Sequence, residues 1–164
     1  RVVDMISDDE GPFAPERSGG LPCFQLAEMA TQDGVTFPEM MRRMQRKGGL
    51  MDWFGTSDAR EIERRIHEGD GKAALVYEAM AHNLAKNIGK LAVVTRGRLD
   101  AILLTGGVAR SRMLTDWVAE RVSFLAPVHV LPGENEMESL ALGVLRVLRG
   151  EEEAHTFAER TEAS

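Results

Sequence analysis

Residues 71–96 constrain the fold of this chain more than any other stretch. Val76, Met80, Leu84, Ile88, Leu91 and Val94 recur at spacings of three and four, which puts one apolar stripe along about seven helical turns. Ala73, Ala81 and Ala85 add helix propensity, and Gly89 marks either a close contact or a kink. A continuous apolar run follows at 99–105 (LDAILLT) and ends in Gly106-Gly107. That run is too short for a helix and reads as a buried parallel strand. The pattern then predicts a helix over 111–122, a strand over 127–131 (PVHVL) and a last helix over 134–149, with Leu140, Val144, Leu145 and Leu148 facing inward. Helix, strand, helix, strand, helix is the order of an α/β domain. In such sheets ligands bind beyond the carboxyl ends of the strands, which directs attention to the turn at 105–111.

The preceding segments are more irregular. RVVDMI (1–6) reads as a short strand, and 7–22 (SDDEGPFAPERSGGLP) as a loop of a length that is usually either functional or disordered. A short helix is expected over 23–32. Thr36, with Glu39 three residues on, starts a helix over 36–47 with a capping box, which Gly48-Gly49 stops. Residues 48–59 read as a second Gly-rich connection, and Asp58 or Ser57 caps a helix over 59–67. Residues 1–150 are expected to form one domain and 151–164 a polar, disordered tail.

Composition removes several classes of function. The 164 residues carry 20 Lys and Arg against 26 Asp and Glu, a net charge of −6 that repels nucleic-acid backbones. No apolar run reaches the ~18–20 residues of a membrane span. A single cysteine, Cys23, excludes an internal disulfide framework and a cysteine-rich metal site, and fits a reducing, cytoplasmic setting. Cys23 itself is expected to be a buried or half-buried thiol. The four histidines have no ligand spacing. Trp53 and Phe54 either wall a pocket or pack in the core, with the core favoured. The chain opens without Met or an apolar leader, on what looks like mid-strand, and so reads as part of a longer protein.

The segment LTGGVARS (104–111) leaves a strand and enters a helix. Two glycines there allow positive φ and let a ligand lie against the backbone, while the helix N-terminus favours an anion. A tight turn without ligand explains the same residues. The segment is neither a P-loop nor a G-x-G-x-x-G fingerprint.

LDAILLTGGVA resembles the adenosine motif of the acetate and sugar kinase, heat-shock ATPase and actin superfamily. Four more segments follow the order of the acetokinase family, and of its butyrate-kinase branch in particular. They are EGPFAPERSGGLP (10–22), KGGLMDWFGTSDAREIE (47–63), KAALVYEAMAHNLAKNIG (72–89) and PGENEMESLALGVLRVLRG (132–150). The resemblance implies a ribonuclease-H-like (actin-like ATPase) fold with a mixed sheet flanked by helices, this chain being the C-terminal half of a two-domain kinase. It implies reversible transfer of a phosphoryl group from ATP to butyrate or a branched short-chain fatty acid, giving ADP and an acyl phosphate.

It also implies roles for particular residues. Arg17 corresponds to the catalytic arginine after the phosphate-binding segment; a solvated loop arginine is the plain alternative. The glycines behind it are expected to let that loop approach the site. Asp58, Ala59 and Arg60 line the adenosine pocket, although Asp58 could equally be a helix cap and Arg60 a first-turn charge. Gly106, Gly107 and Val108 form the adenosine turn. Ala109-Arg110-Ser111 departs from the usual Gly-Glu-Asn of acetate kinases, which puts a Ser111 hydrogen bond to nucleotide in question. Glu138 or Glu136 is the Mg²⁺-side carboxylate; acidic residues in a first helical turn also suit the helix dipole.

The implied partners are the missing N-terminal half, with its acyl pocket and acid–base groups, and a second copy in a homodimer. The homodimer could use another face of the 71–96 helix and exposed Met40, Met41 and Met44. Without the other half the chain is expected to be inactive or nearly so. A different class of function is a nucleotide-binding or assembly module of the actin-like kind, without kinase activity.

Overall fold

In the computed structural model the described residues are 2–7, 9–133 and 136–154. They form seven α-helices and two strands: α1 (Cys23–Ala30), α2 (Phe37–Gln45), α3 (Gly49–Phe54), α4 (Ala59–His67), α5 (Gly71–Ala92), β1 (Ile102–Gly106), α6 (Arg112–Val122), β2 (Val128–Pro132) and α7 (Glu136–Leu148). One compact unit covers residues 1–133 and a second covers 134–164.

The core of the first unit is built on one face of α5. Ala73, Val76, Tyr77, Met80, Ala81 and Ala85 are buried there against Leu50 of α3, Ile62 of α4, Ile102 of β1, and Leu114, Val118 and Val122 of α6. The alanines let α6 approach closely. Tyr77 meets Trp117 edge-on with ring centroids 6.0 Å apart, and Glu78 pairs with Arg121 at 2.6 Å. The core therefore reaches back to residue 50. Val94, expected in the stripe, is exposed, because the α-helix ends at Ala92 and a 3₁₀ turn carries Val93–Thr95 off the face. Nothing lies within 4 Å of a Cβ added at Gly89, and α5 runs through it unbroken.

β1 and β2 pair in parallel, Ile102 opposite Val128 through Gly106 opposite Pro132. The expected burial of these strands is only half realised. Leu103 is 60% exposed, and Val130 and Leu131 are exposed too, because the helices of this unit cover one face of a two-stranded sheet.

Five other expectations need correction. Residues 2–7 form no strand, since no edge pairs with them. Residues 49–54 form a helix, α3, whose Leu50 enters the core. Cys23 is exposed, because α1 buries none of its residues. Met40 is buried, and Met41 and Met44 are half-buried, since this side of α2 faces the 5–19 segment and α3. Trp53 is likewise exposed, with Lys72 over its ring at 5.2 Å, whereas Phe54 packs against the core.

In the second unit, α7 carries Leu140, Val144, Leu145 and Leu148 on its surface, Leu140 being 66% exposed. The inward orientation expected for them is not found, because α7 is the one element described within 134–164 and has no neighbour there to pack against. The polar tail is described as far as residue 154; the expectation for 155–164 lies outside the described residues. Among the described residues no helix is long and apolar enough to cross a membrane.

Candidate functional site

Capping chemistry positions the site. Asp58 precedes α4, and its carboxylate accepts the Arg60 backbone N–H at 3.0 Å. The same carboxylate accepts from the Arg60 guanidinium at 2.7 Å (Nη2) and 2.9 Å (Nε). The guanidinium bonds, then the backbone bond, hold the Asp58 carboxyl below its ordinary range, and Asp58 raises Arg60 in return. Asp58 is thus cap and ion-pair partner at once. The Arg60 side chain stays 90% exposed, so the pair presents a planar cation to solvent.

The strand-to-helix turn supplies the facing wall. β1 ends at Gly106 with φ +85°, a left-handed conformation that favours glycine, and no atom lies within 4 Å of where its Cβ would be. Gly106 and Gly133 exchange two backbone hydrogen bonds of 3.2 Å, which fix the strand ends. Gly107 has φ −63°, so the positive φ expected of both glycines holds for Gly106 alone. A 3₁₀ turn, Val108–Arg110, then leads to Ser111, the N-cap of α6.

Ser111 is buried and its hydroxyl is fully engaged. Its Oγ accepts from the Leu114 N–H at 3.0 Å and from the Tyr77 hydroxyl at 2.9 Å, and it donates to Glu63 Oε1. The Tyr77 hydroxyl also lies 3.2 Å from Glu63 Oε1. Burial raises the Tyr77 pKa well above its ordinary value; the hydrogen bond with Ser111 lowers it and the nearby Glu63 carboxylate raises it. The phenol is therefore a neutral donor. The departure at residue 111 is explained: this serine caps a helix and anchors a buried network.

One cavity of about 360 Å³ brings these parts together. Pro15, Ser57, Asp58, Ala59, Arg60, Glu63, Gly107, Val108, Arg110 and Ser111 line it. Six of the seven nucleotide-side residues singled out in the sequence share this wall. The seventh, Gly106, sits just behind it as the hinge of the turn. Glu63 was not anticipated. Its one sequence signal is its place one α4 turn after Arg60, on the side that meets α5 and α6.

Arg17 lies elsewhere. It is exposed and lines a neighbouring cavity of about 330 Å³ with Ile6, Gly11, Leu84, Asn87 and Leu91 among others. Its loop touches the first cavity through Pro15, and Glu16 accepts from the Ser57 hydroxyl at 3.0 Å. The glycines behind Arg17 serve the loop itself. A Cβ on Gly19 would stand 2.4 Å from the Gly11 carbonyl, and one on Gly49 would stand 1.7 Å from the Ala14 carbonyl. Segments 11–20 and 44–51 are laced together by backbone bonds, Ser18 to Met44, Gly48 to Glu16 and Met51 to Pro15, of 2.8–3.0 Å. These glycines let loop approach loop.

Glu138 is exposed in the first turn of α7; Glu136 opens that helix, and its side chain lies outside the described residues. Among the described residues no group of three or more potential ligands is poised around a metal. A single carboxylate nevertheless suits Mg²⁺ carried on a nucleotide, since that ion keeps water and phosphate oxygens and takes one or two carboxylates.

Comparison with known proteins bears on this geometry. Residues 10–136 match the acetokinase family. The chain is 46% identical over 153 residues to a protein named probable butyrate kinase 2 from Caldanaerobacter subterraneus subsp. tengcongensis, covering 93% of this chain and 43% of that protein. It is 43% identical over 159 residues to butyrate kinase 2 of Clostridium acetobutylicum, covering 96% and 45%. Among solved structures, acetate kinase of Porphyromonas gingivalis superposes with a TM-score of 0.70 at 22% identity, over 83% of this chain and 41% of that one. Acetate kinase of Entamoeba histolytica gives 0.70 at 21%, over 84% and 43%. The chain thus spans under half the length of the relatives it matches.

Proposed function

The chain belongs to the acetokinase family, and on that premise we propose that it is the nucleotide-side part of a butyrate kinase-type phosphotransferase. The observation that carries this reading is the shared cavity, which joins Asp58-Ala59-Arg60 to Gly107-Val108 and Ser111 across more than forty residues of sequence. Adenosine lies against the Gly107–Val108 backbone, and the Arg60 guanidinium, held by Asp58, flanks it.

The reaction transfers the γ-phosphoryl group of ATP to a carboxylate. An oxygen of butyrate or a branched short-chain acid forms a bond to the γ-phosphorus, the bond to the bridging oxygen breaks, and ADP leaves with that electron pair. Such transfers depend on positioning and on cations around the moving group. Arg17, in the adjacent cavity, supplies one of these cations. Glu138, or Glu136, supplies a carboxylate for Mg²⁺, which neutralises phosphate charge when bound. The acyl pocket and the remaining groups belong to the other part of the kinase, and the active protein is a homodimer of the cytoplasm. The family match favours this reading over an assembly module without kinase activity.

Calorimetric titration of ADP with and without Mg²⁺, beside a Gly107→Asp variant, tests the site. Saturable binding lost in the variant is expected, and binding unaffected by the substitution overturns the assignment of the cavity. The chain by itself is expected to show no butyrate-dependent turnover of ATP, because both faces of the cleft must be in place. Robust turnover by these 164 residues would sink that expectation.

A further inference from the structure

We propose that Glu63 is the residue that reads the nucleoside in this cavity, accepting hydrogen bonds from its donor groups and keeping the phosphates at the opposite end. The inference rests on the nucleotide reading of the cavity given above. Three observations carry it. Glu63 lines the cavity and is half-buried. One of its oxygens, Oε1, accepts from the Ser111 hydroxyl, which itself accepts from the Tyr77 hydroxyl 3.2 Å from that oxygen, so the carboxylate has a fixed orientation. No cation among the described residues pairs with it, whereas Arg64 and Arg65, its neighbours on α4, are taken by Glu61.

An anchored carboxylate with Oε2 unused among the described residues is an acceptor of hydrogen bonds and a repeller of anions. A nucleoside diphosphate has donors at one end and negative charge at the other. The donors are the ribose hydroxyls and, in adenine, the exocyclic amine. Arg110 lines the same cavity and adds positive charge to it, the charge of Arg60 being matched by Asp58. Glu63 therefore admits the donor groups of such a ligand beside it and disfavours its phosphates there. Glu63 is a specificity-determining residue, and Ser111 and Tyr77 act through it as positioning residues.

The test is calorimetric titration of this chain with ADP, inosine diphosphate and 2′-deoxy-ADP, in the parent and in Glu63→Gln. Glutamine keeps a carbonyl acceptor for Ser111 and so preserves the buried network. The parent should discriminate against at least one analogue by about tenfold, the worth of a hydrogen bond to a charged group. Loss against inosine diphosphate identifies the exocyclic amine, and loss against 2′-deoxy-ADP identifies the ribose. In Glu63→Gln that ratio should fall to about threefold or less. Equal affinity of the parent for all three ligands overturns the inference, without recourse to any variant. So does a ratio that Glu63→Gln leaves unchanged. Absence of saturable ADP binding by the parent overturns instead the reading of the cavity, and this inference with it.

Discussion

Two glycine-rich regions of this chain use the same residue for opposite ends. At the end of β1, an added Cβ on Gly106 would meet nothing within 4 Å. Where the 11–20 and 44–51 segments cross, a Cβ on Gly49 would stand 1.7 Å from the Ala14 carbonyl oxygen. In the first place glycine shapes a turn that faces open space. In the second it lets two backbones occupy space that side chains would otherwise fill. A glycine pair in a sequence does not say which of these it does. The neighbours decide, and the neighbours lie tens of residues away.

Gly49→Ala should break this contrast most strongly. The position combines φ +60° with a collision against backbone, which cannot swing aside as a side chain can. A loss of about 3–5 kcal/mol is expected, in the range of the severest single substitutions. Gly106→Ala carries only the strain of the left-handed region, about 1–2 kcal/mol. Urea denaturation of the two variants side by side checks this, and equal losses would mean that the crossing loops are not packed as described.

Ser111→Ala sharpens the contrast from the polar side. It removes the cap of α6 and leaves Tyr77 and Glu63 without their shared hydroxyl. The expected cost is about 2 kcal/mol, of which about half is the cap. Thr36→Ala, at the exposed and longer cap of α2 (3.4 Å to Glu39 N), should cost about 0.5 kcal/mol. If the two substitutions prove equal in denaturant midpoint, the network under the cavity adds nothing.

Tyr77 gives the same network a pH signature. Its folded pKa is raised above the ordinary 10.0, chiefly by burial. The unfolded chain therefore ionises first. The stability Tyr77 contributes is complete below about pH 10 and is lost as pH rises from there toward the folded value. Tyr77→Phe should remove this alkaline component, so the stability difference between variant and parent should change above pH 10 and stay flat below it. A difference flat through alkaline pH would show that the phenol is not held neutral by its surroundings.

Much of this was legible in the sequence, and what was not has physical causes. The stripe on α5, the caps Thr36 and Asp58, and the strand–Gly-Gly–helix turn are local patterns, readable within ten or twenty residues; the cap at Ser111 came from the structure. Glu63 was not readable, because its meaning comes from Tyr77 on α5 and Ser111 before α6. The exposure of Leu103 and of Leu140 was not readable either. An apolar residue records that burial is favourable, and does not record whether its covering layer lies in the same 164 residues. Arg17 illustrates the same limit. Its loop is fixed by backbone bonds to residues 44–51, and that packing places it beside the cavity of Asp58 and Gly107 instead of in its wall.

Gly107→Ala carries the smallest expected effect on stability and separates the two uses of glycine most cleanly. Gly107 lies in the ordinary right-handed region (φ −63°, ψ −39°) and is exposed, so alanine fits its backbone without strain. Restricting the unfolded chain should then stabilise the fold by about 0.4–1 kcal/mol. The same methyl group would enter the wall of the cavity that Gly107 lines, and ADP binding should weaken. Stability and affinity are thus expected to move in opposite directions in one variant, as they do where a residue is kept for a ligand at the expense of the fold. Thermal denaturation and calorimetry on the same sample decide the matter. A fall in both would make Gly107 a packing glycine like Gly49. A gain in stability with affinity unchanged would move the ligand away from this turn, and leave the cavity wall formed by Asp58, Arg60 and Glu63 to hold it.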